Sequence, residues 1–227
     1  MNLYLLVEAQ RTEPKIYPEW LKCLIPGIRR IRDPFLLNTD TTLDYTFFIF
    51  SGEGFPSLLN HLKNAINDIN KISRIDYLVI YLDSNERTVE QTRKIVYDFI
   101  KKNNLSLSRA NLVVIVQDYC IETWLLGNRR IYHRTPTDEE LLACISHYDV
   151  HENDPELMRT VPQGYNCAQY HSHYLKQIFK SRNISYTKKN PGEAATHLYL
   201  KELIKRNENT GHISSFGVFK EFCASLI

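Results

Sequence analysis

"DYLVIYLDSNERTVEQ", residues 76–91, decides the fold. Residues 77–82 are apolar or aromatic without a polar break, and the run stops at Asp83-Ser84-Asn85-Glu86-Arg87. A short continuous run bounded by turn residues predicts a strand buried on both faces, since a strand buried on one face alternates apolar with polar. Residues 88–103 then keep a helical period. A doubly buried strand followed by a helix is the unit from which parallel sheets are built.

The same unit recurs on either side. "LYLLV" (3–7) precedes a helical pattern over 14–24, where Ile16, Trp20, Cys23 and Leu24 share a face and Pro14 suits the first turn. "DYTFFIF" (44–50) precedes a helix over 55–70 whose apolar positions include Leu58, Leu62, Ile66 and Ile69. "NLVVIVQ" (111–117) precedes "CIETWLLG" (120–127), a short helix stopped by Gly127, with Trp124 expected in the core. The expected fold class is therefore α/β, with a mostly parallel sheet of about four strands flanked by helices over residues 1–127. After residue 128 no strand is predicted. Helical patterns near 137–147, 168–181, 193–207 and 214–226 make residues 128–227 a helical extension packing on that core. The last of these is expected to be capped by Ser214 or Ser215 and to lay Phe216, Phe219 and Phe222 on the sheet. Residues 148–166 are the least regular and read as a mobile loop. His171 and His173, two positions apart, cannot share a helix face and read as surface residues.

Composition narrows the function classes. Hydrophobic residues make up 43% and charged residues 24%, the balance of a soluble globular protein. No apolar run approaches the roughly 20 residues of a membrane span, so no membrane partner is expected. Glu8 interrupts the opening apolar run too early for a secretory signal, and five cysteines lack any CxxC pair. Both point to a cytoplasmic protein with reduced thiols. The net charge of +2 means that any surface for nucleic acid is local.

Open parallel sheets bind ligands beyond the carboxyl ends of their strands. Glu8 follows the first strand, Ser51-Gly52-Glu53-Gly54 the second, Asp83, Asn85 and Glu86 the third, and Asp118 and Glu122 the fourth. Carboxylates gathered there repel one another, and a cation preferring hard oxygen ligands, Mg²⁺ or Mn²⁺, relieves the repulsion. Two bland alternatives stand beside this. Asp83 or Ser84 serves equally as the N-cap of the next helix. Gly52 and Gly54 form either a phosphate cradle or a tight strand-to-helix turn, and the GK[ST] ending of a P-loop is absent. Arg11, Lys15 and Arg87 lie beside the acidic motifs as candidate nucleic-acid contacts, and Arg129 and Arg130 would extend that surface.

"LYLLVEAQRTEPKIYPEWL" resembles the opening of Toprim domains, a strand followed by V-E-G-x-T-E and a helix. "YLVIYLDSNERT" is similar to their D-x-D strand end. "VVIVQDYCIETWLLGN" resembles the I-E-x-W-L-L segment of Toprim-like proteins related to the overcoming-lysogenization-defect nucleases and to RloB-type proteins, and residues 197–223 resemble the tail of small proteins of that group. The resemblance implies an enzyme, a Mg²⁺- or Mn²⁺-dependent nuclease that hydrolyses phosphodiesters of DNA or RNA. It implies Glu8 and Asp83 as catalytic residues and metal ligands, with Asn85 at the position of the second aspartate and Glu122 as a ligand for a second metal. Glu86 is a substitute ligand beside Asn85, and Glu13 and Asp118 support the set. It further implies an ABC-type ATPase partner in anti-phage defence, with self-association left open. The sequence departs from the pattern twice: Ala9 stands for the usual Gly, and Asn85 for Asp. A degenerate, non-catalytic module that docks on the ATPase is the alternative.

Overall fold

A computed structural model of the chain describes residues 1–132 and 135–227. The doubly apolar runs form strands β1 (Asn2–Val7), β3 (Thr46–Ser51), β4 (Tyr77–Asp83) and β5 (Asn111–Gln117). A fifth strand, β2 (Arg29–Arg30), pairs with β3, so the sheet has one strand more than the sequence predicts. Two exposed arginines carry no apolar signal, and only tertiary pairing makes them a strand. The order is β2-β3-β1-β4-β5 and every pairing is parallel.

The two-residue period of the strands divides the interior into two layers. Leu3, Leu5, Val7, Phe47, Val79, Tyr81 and Ile115 face one side. Tyr4, Leu6, Leu78, Ile80, Leu82, Val114 and Val116 face the other, where α3 (Ser57–Lys71) supplies Leu58, Leu62 and Ile66 and α4 (Val89–Lys102) supplies Val96. The first side is covered by α1 (Glu13–Leu24) and by the second half of the chain. That half contributes α5 (Ile121–Leu125), α6 (Glu139–His147), α7 (Cys167–Ser181), α8 (His197–Thr210) and α9 (Ser214–Ala224), and residues from all five join the same buried layer as α1. A short helix α2 (Leu36–Thr39) lies between β2 and β3. Among the described residues no helix is long and apolar enough to cross a membrane.

Side-chain caps start α4, α6, α7 and α8, whereas α1, α2, α3, α5 and α9 begin without one. Thr88 caps α4 in a reciprocal box with Gln91, so neither Asp83 nor Ser84 is its cap. Pro18 sits inside α1, where its missing N–H would have met the carbonyl of Pro14, and the helix continues to Leu24. At α9 neither Ser214 nor Ser215 caps the helix. The preceding residue, Ile213, has a left-handed φ of 50°, and the carboxylate of Glu156 accepts the Ser215 N–H at 3.0 Å and the Ser214 hydroxyl at 2.9 Å. This remote cap also ties down residues 148–166. Val150, Glu156 and Met158 are buried there around a 3₁₀ turn at Pro155–Leu157, so the irregular segment is pinned to the body rather than loose. His171 is buried, not superficial. It bridges the Thr123 hydroxyl at 2.8 Å and the Met158 carbonyl at 3.1 Å.

Phe216 and Phe219 of α9 are fully buried against Trp20 and Trp124, and Phe222 meets Tyr77 edge-on. Phe219 also contacts Tyr17 and Tyr81, linking α1 and β4 through one ring. Truncation of a phenylalanine so enclosed costs about 3–5 kcal/mol through lost burial and a residual cavity. Phe219→Ala is therefore expected to move the urea unfolding midpoint sharply downward. An unchanged midpoint would show that α9 does not hold the two halves together.

Candidate functional site

The parallel register brings the ends of β1 and β4 side by side, with Val7 opposite Tyr81. One residue further, the Glu8 N–H donates to the Tyr81 carbonyl, and Glu8 Oε2 accepts the Asp83 N–H at 3.0 Å. Glu8 and Asp83 are thus joined through backbone and side chain at one sheet edge. The turn into α1 adds Glu13, fully enclosed, whose carboxylate accepts the Ala9 N–H at 2.7 Å and the Gln117 amide at 2.7 Å. Gln117, the last residue of β5, also donates to the Tyr17 hydroxyl. Glu122 completes the group from α5 and is only 1% exposed.

These four carboxylates sense one another. Burial first, then the charge of Glu8 and that of Glu122, pushes Glu13 up to about 8 against two opposing hydrogen bonds. Burial, followed by repulsion from Glu13, Glu8 and Glu122, raises Asp83 well above the usual carboxylate range. Burial raises Glu8, while the Asp83 and Phe55 N–H groups and the Arg87 guanidinium pull it back. Among the described residues, Asp83 Oδ1 is buried with no hydrogen-bond partner.

The remaining residues singled out in the sequence lie outside this acid group and make contacts of their own. Asn85 adopts a left-handed φ of 52°, donates its backbone N–H to Tyr119 O and points its amide at the Asp83 carbonyl, 3.4 Å away. Asn tolerates that conformation better than most residues, so the position serves the turn. Glu86 accepts the N–H of Cys167, the first residue of α7, at 3.1 Å. Asp118 accepts the Ser84 hydroxyl at 3.2 Å and lies 3.7 Å from Arg159. Gly52 and Gly54 donate their N–H groups to the Val7 and Glu8 carbonyls, and a Cβ on Gly52 would stand 2.8 Å from Leu58. They form a tight turn whose donors are already used, leaving none of those N–H groups for a phosphate. Arg11, Lys15 and Arg87 are exposed; Lys15 reaches the Lys189 carbonyl and Arg87 lies over the Phe55 ring. Arg129 spends its guanidinium on the carbonyls of His151 and Glu152, while Arg130 is exposed in the turn that follows α5.

Three partners of the acid group had no signal in the sequence. Lys188 Nζ lies 3.5 Å from Glu122 Oε1, the Tyr186 hydroxyl 3.3 Å and the Ser172 hydroxyl 3.5 Å. Glu122, then Cys120 and Asp83, raise the Lys188 ammonium above its ordinary value against the cost of burial. All three come from the second half of the chain. "SYTKKNPGE" shows only a turn, and nothing in it tells which lysine reaches Glu122.

Among the described residues no three His, Cys, Asp or Glu side chains are already arranged as a metal cage. Mg²⁺ does not need one, since it keeps several waters and is held by one or two carboxylates together with substrate phosphates. An orphaned buried carboxylate oxygen on Asp83, with Glu8 bonded to the same backbone unit, fits that mode of binding. No protein-family model, curated protein or solved structure matches the chain.

Glu13 gives the site a pH signature. Its proton is retained in the folded state up to about pH 8, whereas in the unfolded chain it leaves near 4.5. Between those values the unfolded chain binds fewer protons, so stability falls as pH rises and levels off above the upper one. In chelator, urea unfolding from pH 5 to pH 9 is expected to show that decline, and Glu13→Gln to flatten it. Equal slopes for the two proteins would remove Glu13 from the balance.

Proposed function

We propose that the chain is a Mg²⁺- or Mn²⁺-dependent phosphodiesterase acting on DNA or RNA. The observation that carries this reading is the meeting of Glu8, Glu13, Asp83 and Glu122, from four separate elements, at the carboxyl edge of a parallel sheet, with Asp83 Oδ1 left unbonded. The resemblance of the same segments to Toprim nucleases gives this edge its chemistry.

When bound, the cation supplies Lewis-acid activation of the phosphate and of the attacking water. Asp83 Oδ1 and Glu8 are the residues that would hold it. Glu8 is held by the N–H groups of Asp83 and Phe55, which fix its carboxylate beside Asp83 to receive a proton from water. Its raised pKa brings it closer to neutrality, where a general base works best. Glu13 holds the β1–α1 turn in place by accepting the Ala9 N–H, and so orients Glu8. Arg11, Lys15 and Arg87 offer exposed charge near this edge to phosphates of the substrate.

A second reading, a docking module for an ABC-type ATPase without catalysis of its own, draws on Asn85, which lacks the charge of the aspartate it replaces in the family pattern. The two separate in one assay. Plasmid, single-stranded DNA and tRNA incubated with Mn²⁺ are expected to be cut by the wild type. Glu8→Ala and Asp83→Ala should each lower the rate by about 10²–10⁴, the range for loss of a general base or a metal ligand. Cleavage equal in all three proteins excludes the enzymatic reading, as does no cleavage by any.

A further inference from the structure

The lone pairs of the acid group are unevenly used. Glu122 Oε1 already faces three donors, the Lys188 ammonium at 3.5 Å, the Tyr186 hydroxyl at 3.3 Å and the Ser172 hydroxyl at 3.5 Å. Asp83 Oδ1 faces none among the described residues. The open capacity for a cation therefore lies at Asp83, while the charge of Glu122 is already answered by an ammonium.

That ammonium is delivered by a built turn. Thr187 and Asn190 exchange backbone hydrogen bonds at 3.1 and 3.0 Å. Between them the Lys188 carbonyl accepts the Thr12 hydroxyl at 3.3 Å, and the Lys189 carbonyl accepts Lys15 Nζ. Both anchors sit at the start of α1, next to Glu13. The turn is thus held against the acid group through its backbone, and the lysine stem bridges the remaining distance. The Lys188 side chain is more than half exposed while Glu122 is enclosed, and a divalent ion at Glu122 would meet the like charge of that ammonium within a few ångströms.

We propose that Lys188 stands in for a second metal ion, so that the site takes one divalent cation, at Asp83 and Glu8, and none at Glu122. This rests on the metal-binding reading above. It assigns to a side chain the place that the family resemblance gives to a second metal. The electrostatic gain is a fixed positive charge that no chelator removes.

The test counts Mn²⁺ per chain by titration calorimetry and by electron paramagnetic resonance on the full chain. The wild type is expected to bind one ion, Asp83→Asn to lose it, and Glu122→Gln to keep it. Lys188→Met should uncover a second ion, which disappears again in Lys188→Met combined with Glu122→Gln. Two ions in the wild type, or loss of the single ion in Glu122→Gln, overturns the inference while leaving a metal site. So does a count that stays at one in folded Lys188→Met, with far-ultraviolet circular dichroism verifying the fold. If Lys188→Met does not fold, the wild-type and Glu122→Gln counts still decide. No bound ion in any protein at millimolar Mn²⁺ overturns the metal reading itself, and this inference with it.

Discussion

Four carboxylates of like sign are held where little water reaches, and much of this molecule is arranged around that constraint. Two unit charges 4 Å apart repel by about 4 kcal/mol at an effective dielectric near 20. No fold keeps such a group fully ionised without an answer. Three answers are visible in the chemistry of the site. Burial and mutual repulsion push Glu13 and Asp83 toward their neutral, protonated forms. Backbone and side-chain donors converge on Glu8 and Glu13. An ammonium approaches Glu122. The sheet makes the conflict unavoidable, because both its faces are covered and its carboxyl edge is where the polar residues that end the strands collect.

The second half of the chain belongs to this balance. It lines one face of the sheet in a single buried layer with α1, and it supplies every non-acidic partner of Glu122 described above. Ser215 illustrates how closely the halves are coupled. Its hydroxyl accepts the Asp118 N–H at 3.1 Å and the Trp124 indole N–H at 2.6 Å, and donates to Glu156 at 2.5 Å. One hydroxyl thus joins the end of β5, the helix bearing Glu122, the irregular segment and the start of α9.

What the sequence displays and what it hides follow from range. Strands and their amphipathic helices are written in residues a few positions apart, so β1, β3, β4 and β5 and most helix spans are legible to within a few residues. Glu8, Asp83 and Glu122 are legible as candidates because each abuts such an element, whereas Glu13 enters only through the family resemblance of the opening motif. β2 is not, since two arginines become a strand only by lying along β3. Lys188, the burial of His171 and the Glu156 cap of α9 each depend on residues dozens of positions away, and no local pattern records a contact of that kind. The distinction between Asp83, which stays in the acid group, and its neighbour Glu86, which turns to the first residue of α7, is of the same sort. One residue along a turn redirects a side chain, and only the tertiary setting says where to.

The placement of α9 has a bearing on how the protein comes into being. Translation proceeds from the amino end, and every partner of Phe216 and Phe219 outside α9 is made before α9 is. Until that helix clears the ribosome, Tyr17, Trp20, Tyr81 and Trp124 lack the rings that shield them. Between the synthesis of Trp124 and that of α9, the nascent chain thus carries an open aromatic surface, a stage at which molecular chaperones have something to bind.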